Sequence, residues 1–136
     1  LVKGDIQRLY DRRALYFNRK AASLGVRGWI TPAEMAAMPL SCFYCHIPLD
    51  HRRSEFDHKV PFDRGGWNTI DNIVRCCKKC NGEKFTKTPE EWAHFQAQEF
   101  ACKACGREFR PRYSDWTQGN GLVCSRSCAA KWRFMR

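Results

Sequence analysis

Eight of the nine cysteines stand in four close pairs, Cys42/Cys45, Cys77/Cys80, Cys102/Cys105 and Cys124/Cys128. Thiolates at these spacings suit a shared tetrahedral metal ion better than a disulfide framework. An unpaired ninth cysteine also fits a reducing compartment. Taken in chain order, the pairs make two complete sets of four, enough for two structural Zn²⁺. A closed four-thiolate site has no open position, which excludes a zinc hydrolase working through these cysteines. Chemistry must come from other residues: Asp57-His58 and Asn72 between the first two pairs, and Asn81 and Lys84 just after the second. A neutral imidazole can activate a water, and His58 is the candidate general base. The Asp57 carboxylate and the Asn81 carbonyl are oxygen donors of the kind that suit Mg²⁺ or Mn²⁺. An activated water, a cation for charge building on a phosphate and help for a departing oxygen are what phosphodiester hydrolysis requires. An Asp-His pair alone is usually a surface pair; the bracketing cysteines and the following Asn make this one a site. His46, His51 and His94 have no ligand partners at useful spacing and read as ordinary polar residues. Cys76 cannot give the two-residue spacing to Cys80 and reads as a buried thiol.

These residues must be positioned by short elements. Ile6 to Leu24 has helical periodicity, with Ile6, Leu9, Tyr10, Ala14, Phe17, Ala21 and Leu24 on one side and Arg8, Arg12 and Arg19 opposite. Gly25 and Gly28 end it. The Arg stripe is either a solvated face or a surface that lies along phosphates, and Leu15 near it blurs both readings. Thr31-Pro32-Ala33-Glu34 is a capping box opening a short helix over residues 32–38, and Thr88-Pro89-Glu90-Glu91 opens another running to about Glu99. Between them, residues 54–60 read as a strand and 70–74 as a second. A helix begins around Cys77 and puts Asn81 and Lys84 on one face.

The run from Cys42 to Lys84 resembles the zinc-bearing branch of the HNH (ββα-metal) endonucleases. Asp57-His58, Asn72, Asn81 directly after the second CxxC, and Lys84 carry the likeness, and residues 86–92 resemble the stretch downstream of such motifs. The resemblance implies a small zinc-bound α+β chain. Its expected parts are an N-terminal helical arm (1–40), a ββα-metal core with a four-cysteine zinc (41–88), a connecting helix (89–100) and a four-cysteine zinc module (101–136). It implies DNA cleavage to 5′-phosphate and 3′-hydroxyl ends, with His58 as base and Asp57 and Asn81 holding one Mg²⁺ or Mn²⁺. It also implies that Asn72 ties the loop between the strands and holds the base, and that Lys84 meets a phosphate or the developing charge.

The net charge is +10, spread along the whole chain, and it stays positive after eight thiolates and two Zn²⁺ are counted. Such a balance suits a polyanion partner. In the last module Arg107, Arg110, Arg112, Arg126, Lys131 and Arg133 interleave with Tyr113, Trp116 and Trp132, with a helix from about Ser127 to Met135. That pattern fits a DNA-gripping surface, a zinc-stabilised structural cap or a protein-interaction finger. A non-catalytic zinc protein that binds nucleic acid is the rival for the whole chain, although Asp57, His58 and Asn81 are all intact. No secretory leader and no apolar run of ~18 residues is seen, so a cytoplasmic protein with no membrane span is expected, in a phage, mobile-element or restriction setting. The oligomeric state is not legible.

Overall fold

A computed structural model describes residues 3–136. Two compact units divide the chain, one ending at Trp92 and the other running Ala93–Arg136. The first opens with α1 (Lys3–Ser23), which buries Tyr10, Ala14, Asn18 and Ala21 on one face. Leu24, expected on that face, is exposed, and polar Asn18 is buried in the stripe instead. α2 (Pro32–Ala36) starts at the expected capping box: Thr31 Oγ1 accepts from Glu34 N–H and Glu34 accepts from Thr31 N–H at 2.8 Å. The helix is shorter than the sequence suggested.

β1 (Glu55–His58) and β2 (Ile73–Cys76) form an antiparallel pair in which Asp57 stands opposite Val74 and His58 opposite Ile73. Residues 70–72, expected in the second strand, form a tight 3₁₀ turn that delivers the chain into it. Alternation along β1 sends Phe56 and His58 to one face and Glu55 and Asp57 to the other. On the first face Tyr10, Ala14, Ile30, Met35, Phe56 and Ile73 make a small apolar core. Arg75 is 2% exposed beside it, and its guanidinium lies over the Tyr10 and Phe56 rings. It donates to Tyr10 Oη, Ser54 Oγ and the Met35 carbonyl. One buried cation thus ties α1, α2 and the strands where there is little apolar surface to do so.

α3 (Lys78–Lys84) packs back on β1 and completes a ββα unit, with Cys77 at its N-cap. α4 (Pro89–Gln96) follows a second capping box at Thr88 and Glu91. In the second unit α5 (Tyr113–Thr117), which the sequence did not signal, and α6 (Arg126–Met135) accompany the second cysteine set. Phe95, Phe100, Tyr113 and Trp116 pack ring against ring there. Among the described residues no helix is long and apolar enough to cross a membrane.

Candidate active site

Both cysteine sets close. The four Sγ atoms of Cys42, Cys45, Cys77 and Cys80 lie within 4.8 Å of one another, as do those of Cys102, Cys105, Cys124 and Cys128. Each set could hold a tetrahedral Zn²⁺ and would leave no open position. Backbone N–H groups of Cys45, Cys80 and Cys124 point at the sulfurs of Cys42, Cys77 and Cys102. Burial by itself would raise the Cys42 and Cys102 thiols, but these donors outweigh it and bring them down to about 7 and about 6. The thiolate, which is the metal-binding form, is thereby favoured at Cys42 and Cys102, whereas burial pushes the Cys80 and Cys124 thiols up in the same sets. Cys76 is fully buried outside the first set, and burial pushes its thiol up.

The first set anchors the start of α3, and that helix carries Asn81 and Lys84 to the Glu55/Asp57 face of β1. Lys84 is fully buried; its Nζ is 2.8 Å from Asp57 Oδ2 and donates to the His58 carbonyl at 3.1 Å. Lys84, expected to meet a phosphate or the developing charge, is buried whole here and clamps β1. Tyr44, inside the first CxxC, donates its hydroxyl to the same Asp57 oxygen at 2.6 Å. Burial first, and Asp57 second, push that phenol well above its ordinary range, so it remains a donor. Asn81 Nδ2 donates to Glu55 Oε2 at 2.6 Å, leaving its carbonyl oxygen for another partner. Asp57 Oδ1 and Asn81 Oδ1 are oxygen donors on the facing β1 and α3, a set whose chemistry fits a divalent ion.

His58 is 9% exposed, with the Phe17 and Phe62 rings against it at 4.9 and 4.2 Å. Burial lowers its pKa below the ordinary histidine value, against opposing contributions from Asn68 and Asp57. Its Nε2 meets Asn68 Oδ1 at 3.0 Å. Asn72 does not touch His58. It accepts from Val60 N–H and donates to the Val60 and Trp67 carbonyls, so it ties the loop, and Asn68 does the holding. An open cleft of about 430 Å³ is lined by His58, Asp57, Phe62, Lys20 and the exposed Phe85.

The expected DNA contacts are placed unevenly. Arg8 pairs with exposed Asp5 at 2.6 Å and shares a surface groove with Arg12 and Arg52. Arg12 also borders a second groove with Arg13, Tyr16, Glu55 and Asn81. Arg19 is exposed and lines neither. In the second unit Arg110 stacks over Phe95 and Phe100 and donates to the Phe95 carbonyl, a structural use. Arg112, Arg126, Lys131 and Arg133 are exposed. His51 bonds to Tyr10 Oη and the His94 ring lies against Trp116, so neither joins a metal set. The sequence reading missed Tyr44, Glu55, Asn68, Asn18, Arg13 and Lys20. Only Asn18 left a signal, as a polar residue four after Ala14 and three before Ala21 on the apolar face.

Residues 42–97 match the family described as HNH endonuclease. This segment is an HNH domain. The chain is 32% identical over 99 residues to the CRISPR-associated endonuclease Cas9 of Corynebacterium diphtheriae, covering 68% of this chain and 9% of that protein. It is 33% identical over 69 residues to the SPbeta prophage-derived putative HNH endonuclease YoqL of Bacillus subtilis, covering 44% of this chain and 30% of that protein. The chain thus spans under a third of the length of either relative. β1, β2, α3 and the first cysteine set, with Asp57, His58, Asn72, Asn81 and Lys84, all lie inside the HNH segment; α1 and most of the second unit lie outside it.

Proposed function

We propose that this chain is a divalent-metal-dependent endonuclease that hydrolyses DNA phosphodiester bonds to 5′-phosphate and 3′-hydroxyl ends. The observation that carries the reading is the meeting of β1 and α3, where the Lys84 bridge to Asp57 locks the general-base strand against the helix bearing Asn81. His58 takes the proton from the attacking water. Its lowered pKa keeps the imidazole neutral, and therefore basic, to lower pH than an exposed histidine would manage. Asp57 and Asn81 would hold one Mg²⁺ or Mn²⁺, whose chemistry is to polarise the phosphoryl oxygen and stabilise the departing 3′ oxygen. Tyr44 and Lys84 both hold Asp57 Oδ2, and Glu55 fixes the amide of Asn81.

DNA is the substrate that the basic charge fits. Arg8 and Arg12, with Arg19 further along α1, would follow its phosphates, and Arg112, Arg126, Lys131 and Arg133 would add contacts from the second zinc unit. A prophage-derived and a CRISPR-associated relative suit a phage or mobile-element setting. The test uses zinc-loaded chain and supercoiled plasmid, with Mg²⁺ or Mn²⁺ added or omitted. Nicked or linear product should form only when the ion is present, with ends a ligase can rejoin directly. Cutting that needs no added ion, or ends bearing 3′-phosphate, would refute the mechanism.

A further inference from the structure

A buried hydrogen-bond chain runs from α1 to the imidazole of His58, and its direction is fixed by the backbone at its far end. Ile30 N–H donates to Asn18 Oδ1 at 3.0 Å, and Asn18 Nδ2 donates to the Ile30 carbonyl at 2.8 Å. A backbone N–H can only donate and a carbonyl can only accept, so the Asn18 amide has one orientation. Its Oδ1 also receives Asn68 Nδ2 at 2.8 Å. That turns Asn68 so that its Oδ1 meets His58 Nε2 at 3.0 Å. A carbonyl oxygen offers no proton, so Nε2 must supply it. In a neutral ring the lone pair is then on Nδ1, the one nitrogen left for a water.

The surroundings hold this chain in place. Asn18 is 5% exposed and Asn68 0%, so bulk water does not compete for their amides. Asn68 N–H donates to the Arg27 carbonyl, and a Cβ on Gly28 would lie 2.3 Å from the Asn68 carbonyl oxygen. Only glycine lets the segment after α1 press so close. Phe17, beside Asn18 in α1, supplies one of the two rings against His58.

We propose that Asn18 and Asn68 are positioning residues that decide which nitrogen of His58 carries the proton, making α1 a working part of the active site. The proposal rests on His58 being the general base. An Asn68 amide flipped end for end would offer Nδ2 to Nε2, favouring a proton on Nδ1 and removing the lone pair from the nitrogen that Asn68 leaves unoccupied. Asn18 prevents the flip without touching His58.

The decisive experiment needs no substrate. In the ¹⁵N-labelled, zinc-loaded chain, long-range ¹⁵N–¹H spectra distinguish Nε2–H from Nδ1–H on neutral His58. The wild type should show Nε2–H alone. Asn18→Ala should admit the Nδ1–H form and lower cleavage about tenfold or more, part of the ~10²–10⁴ that a general base contributes. Asn68→Asp, which keeps an acceptor at Nε2, should retain Nε2–H even if Asn18→Ala fails to fold. A folded Asn18→Ala protein with a pure Nε2–H ring and full cleavage would overturn the proposal, as would an Asn68→Asp protein with its proton on Nδ1. If the spectra behave as expected but wild-type protein never cuts DNA, the proton placement is supported and the nuclease reading fails instead.

Discussion

Residues 41–48 and 101–108 fold into the same knuckle. Each closes with an antiparallel bridge, Ser41 to Pro48 and Ala101 to Glu108. In each, the first cysteine N–H donates five residues on, Cys42 to Ile47 and Cys102 to Arg107, and its carbonyl accepts from four residues on. The residue after the first cysteine donates to a distant strand or loop, Phe43 to Arg75 and Lys103 to Leu122. The difference lies in what completes each set. Cys77 and Cys80 open a helix that also bears Asn81 and the buried Lys84, whereas Cys124 and Cys128 frame the start of α6, which has Ala129 after its cysteine and an exposed Lys131. Tyr44 in the first knuckle reaches Asp57; its counterpart, Ala104, has nothing to reach with. One four-cysteine design thus recurs in both units, and in the first its neighbours join it to Asp57, Asn81 and Lys84.

The two knuckles should differ most when their metals are removed. Cys80→Ser should lose one zinc, disorder the strands and α3, and abolish cleavage, since structural zinc typically contributes ~10–16 kcal/mol of binding free energy to folding. Cys128→Ser should lose the other zinc yet leave cleavage detectable in low salt. Native mass spectrometry and circular dichroism beside a cleavage assay would show it; equal loss of activity in both would erase the distinction. Replacing Arg126, Lys131 and Arg133 together by alanine should make the salt dependence of DNA binding shallower, by roughly 0.9 for each phosphate no longer neutralised. An unaltered slope would assign the second unit to a cap or protein contact.

Tyr44→Phe removes one hydrogen bond from Asp57 and should cost about 1 kcal/mol of stability. A cleavage rate down several-fold with both zincs bound would mark the hydroxyl as functional, and an unchanged rate would reduce it to packing. The smallest effect is expected at His46, whose φ of +66° matches that of Gly106 at +72° in the second knuckle. His46→Gly should raise the melting temperature slightly, as relief of ~1–2 kcal/mol of left-handed strain is partly offset by glycine's chain entropy. Cleavage should not change. A fall in stability would mean that the His46 side chain contributes contacts that glycine lacks.

The cysteine sets, the two capping boxes and the ββα order were legible because each depends on spacing along the chain. Strand ends were less so: Asn72 reads as the middle of a strand, but residues 70–72 form a turn closed by Asn72 N–H to the Thr69 carbonyl and Ile73 N–H to the Ile70 carbonyl. The contacts around the chemistry were hardest to see. Tyr44 to Asp57, Asn81 to Glu55 and Asn68 to His58 join residues whose separation in sequence carries no period. Lys84 shows the limit plainly, since nothing local says that a lysine in so basic a protein will be buried whole. Burial of that charge is possible because Asp57 and the His58 carbonyl receive it.

The central claim is that His58, held on β1, is the base of the cutting reaction. Single-turnover cleavage of plasmid DNA by purified His58→Ala protein, with two zincs and unimpaired DNA binding confirmed first, tests it most directly. The rate should fall by ~10²–10⁴ while the affinity stays near that of the wild type. Cleavage at close to the wild-type rate by that protein would contradict the assignment and move the chemistry elsewhere in the molecule.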